Sequence, residues 1–172
     1  MSNEDNKTKK LIRSAMFAAL IFIATFLIKI PTPGTTGYVH PGDAFVILSG
    51  VFLTPFYSFF AAAIGSALSD LAGGYFIYVP ITFFVKGLIG LICALIYRRL
   101  GKKQDKPSAA MFFCGITDIV LVVFGYGIPE IFLYGFAGAA ASAFPNFVQG
   151  LSGLILAFLL RPLLEKALKK IS

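Results

Sequence analysis

Lys86 lies within "PITFFVKGLIGLICALIYRRL", with apolar residues on both sides. A charged side chain well inside a bilayer costs about 2.5–3.5 kcal/mol even on lenient insertion scales, so it marks a functional position by default. Asp70 and Asp118 occupy apolar segments in the same way. The structural alternative is an internal salt bridge that only locks helices together. For Asp118 both readings stand, because nothing else near it in the sequence converges. "GYVHPGDAFVILSG" adds His40, the single histidine, and Asp43 at the lip of another apolar stretch.

The segment around Lys86 has a counterpart near the C-terminus. "KGLIGLICALIYRRL" aligns without a gap on "QGLSGLILAFLLRPL". Lys86 and Gln149 each stand twelve residues before an arginine, Arg98 or Arg161, about 18 Å along a helix. They therefore share a depth. Thr82 lies one turn before Lys86 and Asn146 one turn before Gln149. Together, Thr82, Lys86, Asn146 and Gln149 give an apolar bundle one polar cavity, open on one side and closed on the other. That describes a binding pocket for a small polar molecule. A hydrated channel is disfavoured, because the inner halves of these helices offer no polar residues to line it. Gly87, Gly90 and Ala94 make a smooth stripe, as do Gly150, Gly153 and Ala157, and Ala61, Gly65, Ser69 and Gly73 recur every four residues. Such stripes let helices approach closely, and a purely structural role is the favoured reading.

The elements that must position these residues follow from composition. The 172 residues are 58% hydrophobic and 13% charged, with mean hydropathy +0.84. Soluble domains carry about 25% charged residues, so the chain reads as an all-α integral membrane protein of one domain, 1–172. Six helices are expected, at 12–30, 42–54, 55–73, 80–97, 108–126 and 145–164. The second is short for a span, and 127–144 is apolar but broken by Gly and Pro. The N-terminal segment is read as a span that is kept, since Pro-rich "IKIPTPGTTGY" offers no convincing cleavage site.

Positive charge gathers in three clusters. They are Lys7, Lys9, Lys10 and Arg13; Arg98, Arg99, Lys102, Lys103 and Lys106; and Arg161, Lys166, Lys169 and Lys170. Cytoplasmic loops carry the excess Lys and Arg. Placing all three clusters inside requires even numbers of crossings between them, hence six spans with both termini cytoplasmic. His40, Asp43, Asp70, Glu130 and Lys29 then fall at or near the outer face.

Several functions are disfavoured. The net charge of +7 is explained by topology, so a nucleic-acid partner is not expected. Cys93 and Cys114 lie in apolar runs with one histidine and no CxxC, so no zinc site is expected and both read as inert buried thiols. No G-x-x-x-x-G-K-[ST] loop is present for ATP hydrolysis, and HExxH is absent. No cofactor is expected, and the chain reads as a non-enzyme that depends on a partner for energy.

The stretch "GYVHPGDAFVILSGVFLTPFYSFFAAAIGSALSDLAGGYFIYVPITFFVKGLIG" resembles the substrate-binding S components of energy-coupling factor (ECF) transporters. The likeness is to the riboflavin-type superfamily with pantothenate, hydroxymethylpyrimidine and pyridoxine-related members. It covers nearly the whole chain, including "GD" at the start of helix two, "GSALSDLAGGY", "P-x-T-x-x-x-K-G" and "P-N-x-x-Q-G". It departs at "HPGDAF", where proline precedes GD. The resemblance implies a multi-pass protein of a prokaryotic plasma membrane that captures a small vitamin from outside. A transmembrane T protein and two ATPase subunits would drive uptake. It also implies docking on the T protein through Ala15 and Ala19, and a pocket drawing on His40, Asp43, Thr82, Lys86, Asn146 and Gln149, to which the outer-face Asp70 is added.

Lys86 would suit an anionic group such as pantothenate. Asp43, Asp70 and Glu130 would suit a cationic or hydrogen-donating ring, and the acidic groups outnumber the basic ones at the rim. The aromatic-ring vitamins are therefore favoured, with "GGYFIY" and "FLYGF" available to stack on them. The competing reading is a stand-alone secondary carrier or channel that uses Asp70 and Asp118 as proton or ion sites.

Overall fold

A computed structural model describes residues 3–102 and 104–170; Lys103 of the second basic cluster lies outside them. The chain is almost entirely helical: α1 Asn3–Leu27, α2 Asp43–Phe52, α3 Pro55–Gly73, α4 Tyr78–Ile96 and α5 Pro107–Lys170. Two short antiparallel strands, β1 Ile30–Pro31 and β2 Tyr38–Val39, form a hairpin between α1 and α2, with Ile30 opposite Val39.

The helices differ in what they bury. α1 turns one narrow stripe inward, Ser14, Phe17, Ile21 and Thr25, and leaves Leu11, Ile12, Ile23 and Leu27 exposed. A helix apolar on its outer face suits lipid rather than water. α2 buries eight of its ten residues and packs against α1, α3, α4 and α5. Ten residues rise only about 15 Å, half of a hydrocarbon core about 30 Å thick. α2 is thus a core helix inside a ring of longer ones. Among the described residues, three stretches are long and apolar enough to cross a membrane: Lys7–Leu27, Tyr78–Lys102 and Pro107–Lys169.

Close helix contact depends on small residues. A Cβ added at Gly65 of α3 would sit 2.5 Å from the carbonyl oxygen of Ala18 on α1. One added at Gly50 of α2 would meet Cys93 of α4 at 2.5 Å, and one at Gly90 of α4 would meet the Ser58 carbonyl of α3 at 2.7 Å. Ser58 Oγ donates to the Gly90 carbonyl at 2.9 Å, joining α3 to α4 where they touch.

The expectation of a break over 127–144 is revised. α5 stays helical through Pro129 and Pro145 and departs from helical geometry at Gly135 alone (φ 77°, ψ 174°). Its two arms are 107–134 and 136–170. A proline removes one intrahelical hydrogen bond, whereas irregular backbone in apolar surroundings orphans several donors and acceptors. The chain therefore keeps its helix and concentrates the turn at a residue free to take positive φ.

Gly90→Ala is expected to lower stability by about 1–3 kcal/mol, because the new methyl overpacks against backbone. Gly127→Ala, where nothing lies within 4 Å, is expected to be neutral. Thermal melts in detergent check both.

Candidate functional site

Four termini meet at one end of the bundle: the end of α1, the start of α2, the end of α3 and the start of α4. The described basic clusters belong to the other end, at the start of α1, after α4 and at the end of α5. Polar side chains gather where the termini meet, in two levels.

The lower level is a buried network. Lys86 Nζ contacts Asp43 Oδ1 at 2.5 Å, with both side chains 0% exposed. Gln149 Nε2 donates to Asp43 Oδ2 at 2.7 Å, and the backbone N–H of His40 donates to Gln149 Oε1 at 3.0 Å. Asp43 sits in the first turn of α2, where the helix dipole favours negative charge. Gly42 must be small, since a Cβ there would lie 2.1 Å from Thr25 Oγ1 and 2.8 Å from His40 Nδ1. Gly153 is pressed likewise, its absent Cβ 2.8 Å from the Asp43 Cβ. The network thus ties α2, α4, α5 and the loop before α2 into one unit.

The loop histidine is locked in. His40 Nδ1 accepts from the Gly42 N–H at 3.1 Å, which leaves the proton of the neutral ring on Nε2. Burial lowers its pKa to about 3, a shift that the Asp43 carboxylate opposes and Lys86 and Lys29 reinforce.

Above this network lies a narrow cavity, partly open to solvent. Its wall includes His40, Asp70, Thr82, Asn146 and Gln149. Asp43 and Lys86 do not line it; they form the layer beneath. Tyr38, Tyr78, Tyr126 and Glu130 complete much of the wall. Tyr38 donates to Asp70 Oδ1 at 2.7 Å and Tyr126 donates to Thr82 Oγ1 at 3.0 Å. Glu130 accepts from Tyr78 OH at 3.0 Å and from Ser142 Oγ across the Gly135 turn. Burial raises the Tyr38 phenol well above its ordinary range, and the Asp70 charge adds to that. Lys29 stands over the Tyr38 and Tyr75 rings, 4.7 and 4.9 Å from their centroids. Burial lowers its pKa and Asp70 counters the shift.

The hairpin loop closes one side. Thr36 Oγ1 and Tyr134 OH lie 2.6 Å apart. Gly34, at φ +76°, packs against Gly138 so tightly that a Cβ would touch Ala141 at 3.0 Å.

Tyr38 and Tyr126 were not among the residues singled out from the sequence, whereas Glu130 and the "GGYFIY" stretch containing Tyr78 were noted there as suiting a ring. Tyr126, Glu130 and Tyr134 recur every four residues, a helical stripe that becomes legible once α5 is helical through Pro129. Tyr38 is two residues before His40, the same-face spacing of an extended strand. Asp118 stays apart. It is fully buried, neither carboxylate oxygen has a hydrogen-bond partner among the described residues, and it is absent from the cavity wall. Ala15 and Ala19 are exposed on α1 in an apolar groove of about 1290 Å³ between α1 and α3, bordered by Phe22, Phe56, Phe60 and Leu68. Among the described residues no group of three or more His, Cys, Asp or Glu side chains is placed to hold a metal.

An apolar helical bundle with a buried ion-pair network and a polar cavity at the same end defines a membrane protein built around a small-molecule site. The sequence model of the family "ECF-type riboflavin transporter, S component" matches residues 5–170, and the chain belongs to that family of membrane-embedded vitamin-uptake subunits. A Pyrococcus woesei protein described as "uncharacterized protein in gap 3′ region" is 30% identical over 136 residues, covering 79% of this chain and 88% of that one. The thiamine precursor transporter HmpT of Lactococcus lactis subsp. cremoris is 31% identical over 167 residues, covering 94% and 92%. Two solved structures share the fold. One is the S component of a bacterial ECF transporter, with TM-score 0.67 and 20% identity, covering 95% of this chain and 99% of that one. The other is the S component for biotin of an ECF-type ABC transporter, with TM-score 0.70 and 19% identity, covering 96% and 95%.

Removing one member of a buried ion pair leaves the other charge unmatched, at a cost of about 3–5 kcal/mol. Lys86→Met is therefore expected to depress the melting midpoint strongly. Adding Asp43→Asn should recover part of the loss, because it removes the stranded charge and keeps an oxygen for Gln149. Melts of the single and double variants measure this.

His40 also makes a pH prediction. The unfolded chain binds a proton at His40 near pH 6.5, whereas the folded chain keeps the ring neutral to about 3. Its stabilisation is therefore present above 6.5 and is lost as pH falls from there towards 3. The loss is about 2 kcal/mol by pH 5. His40→Asn, which keeps an acceptor for the Gly42 N–H, should flatten the stability profile over pH 7 to 5.

Proposed function

We propose that this chain is the substrate-specific subunit of an ECF-type ABC importer, capturing a small water-soluble vitamin or precursor from outside. The ligand classes in view are hydroxymethylpyrimidine, pyridoxine-like compounds, pantothenate and riboflavin. The observation that carries the proposal is the polar cavity at the end of the bundle away from the three basic clusters. Family membership and the similarity to a thiamine precursor transporter support it.

The chain forms one membrane domain, 1–172, with six spans when the two arms of α5 count separately and α2 counts despite its length. Both termini are cytoplasmic by the distribution of Lys and Arg. The host membrane is the plasma membrane of a prokaryote. His40, Asp70, Thr82, Asn146 and Gln149 meet the ligand, while Asp43 and Lys86 hold the floor beneath it. Energy comes from partners, a transmembrane T protein and two ATPases, and this chain performs no chemistry on its ligand. The exposed apolar groove along α1 suits helix-to-helix docking on the T protein, with Ala15 and Ala19 permitting close approach.

The test combines binding and uptake. The purified chain is melted against a panel of water-soluble vitamins and precursors, where a ligand at a hundredfold excess over Kd stabilises by about 2.7 kcal/mol. Uptake is then followed in cells with and without the T protein and ATPases. Binding by the isolated chain with uptake only in the full complex is expected. Ala15→Leu/Ala19→Leu should keep binding and lose uptake. Flux through the chain alone in liposomes without ATP overturns the proposal in favour of a carrier.

A further inference from the structure

The basic end of the bundle has a cavity of its own. Lys10 and Arg13, one helical turn apart on α1, line it with Phe52, Leu53, Thr54 and Tyr57 from the end of α2 and the start of α3. It offers about 150 Å³ of space, where a single water needs about 10–15 Å³. Among the described residues its wall contains two cations and no Asp or Glu. Thr54 precedes α3, and its hydroxyl makes no capping bond there. Two cations and a hydroxyl around one small space are the donors that suit a phosphate.

This cavity adjoins the apolar groove between α1 and α3. Tyr57 lines both, and Leu11 and Ser14 of the groove directly follow Lys10 and Arg13 of the cavity in sequence. Ser14 turns its hydroxyl away onto the Tyr57 carbonyl at 3.3 Å. Ala15, Ala18, Ala19 and Ala61 leave a smooth channel bordered by Phe22 and Phe60. The length of the channel is that of one leaflet. From Leu11 to Phe22 α1 rises about 16 Å, and half of a hydrocarbon core about 30 Å thick is about 15 Å.

A channel one acyl chain long with a basic cavity at its foot matches the two parts of a phospholipid. An apolar helix alone would fill the groove and leave the two cations without a counter-charge, whereas basic pockets between membrane helices suit anionic lipid headgroups. We infer that the free subunit holds one anionic phospholipid on this face, its phosphate against Lys10, Arg13 and Thr54 and one acyl chain along the α1–α3 groove. The site is separate from the polar cavity at the other end and does not depend on the capture reading. It belongs to the chain before the T protein takes the same face, so assembly displaces the acyl chain.

Native mass spectrometry of the full purified chain, stripped of lipid in an uncharged detergent, tests this with three probes. Dioleoylphosphatidylglycerol and dioleoylphosphatidylcholine share acyl chains and differ in net charge, and glycerol 3-phosphate is a phosphate without acyl chains. The wild type should take up one phosphatidylglycerol at least tenfold more tightly than phosphatidylcholine and form no adduct with glycerol 3-phosphate. That comparison needs no variant. Lys10→Gln/Arg13→Gln should bring the two lipids within threefold of each other. Lys166→Gln/Lys169→Gln, which removes the same charge at exposed positions of the third basic cluster, should keep the preference. Ala15→Leu/Ala19→Leu should weaken both lipids tenfold or more by filling the channel. Melts without lipid confirm that each variant folds. Equal binding of the two lipids by the wild type overturns the inference. So does an equal loss of preference in the two charge variants, which reduces the attraction to net charge. Glycerol 3-phosphate binding as tightly as phosphatidylglycerol leaves a phosphate site with no part for the groove, and a lipid-free dimer gives the groove to a second copy; either result overturns the inference as well.

Discussion

A lysine charge buried without water needs a matching charge at contact distance, and the site end of this bundle is arranged around that need. Asp43 and Lys86 are 43 positions apart and fully buried. Neither tolerates loss of the other, so the start of α2 is fixed against the middle of α4. Gln149 takes the second Asp43 oxygen and brings in the C-terminal arm of α5. Its carbonyl then holds the His40 backbone. Gly42 and Gly153 are small because the helices must come this close. Placing a ten-residue helix in the centre of the bundle is acceptable because its first turn is tied by charge and its sides are apolar.

The two polar levels differ in how far they are satisfied. In the lower one both oxygens of Asp43 and both ends of the Gln149 amide are engaged, which favours a single rigid arrangement. In the upper one Asp70 Oδ2 and Asn146 Nδ2 have no hydrogen-bond partner among the described residues. A rigid floor under a wall with unmet hydrogen bonds is the arrangement expected of a preorganised binding site, because the ligand then supplies the missing partners without reorganising its support. The loop between α1 and α2 belongs to both levels: His40 anchors it below, while Tyr38, on Asp70, and Thr36, beside Tyr134, hold it above.

Packing elsewhere follows from the absence of a hydrophobic drive between helices in lipid, which leaves close van der Waals contact to hold them. Gly65 against α1, Gly50 against α4 and Gly90 against α3 all place backbone next to neighbour. The α1–α3 seam is tight on its inner side at Gly65 and opens outward into the apolar groove containing Ala15 and Ala19. Small residues thus serve two faces of the same pair of helices.

Much of this was legible in the sequence. Sparse charge, confined largely to three basic clusters, determined a membrane protein, and repeated spacing before Arg98 and Arg161 set Lys86 and Gln149 at one depth. Those are local or periodic signals, carried by neighbouring residues whatever the rest of the chain does. The partner of Lys86 is another matter, because Asp43 becomes its neighbour only when α2 is inserted between α4 and α5. Lys86 therefore read as a ligand contact from its isolation in the sequence, whereas the fold gives it a counter-ion and takes it out of the cavity wall. The stripe of Tyr126, Glu130 and Tyr134 was hidden for a related reason. Pro129 and the nearby glycines suggest a broken segment in water, but in apolar surroundings backbone pairing outweighs their weak propensity and the helix continues to Gly135. Sequence determined which residues are costly to bury; tertiary structure decided which of those costs are met by a partner side chain, since that depends on contacts spanning as many as 109 positions along the chain.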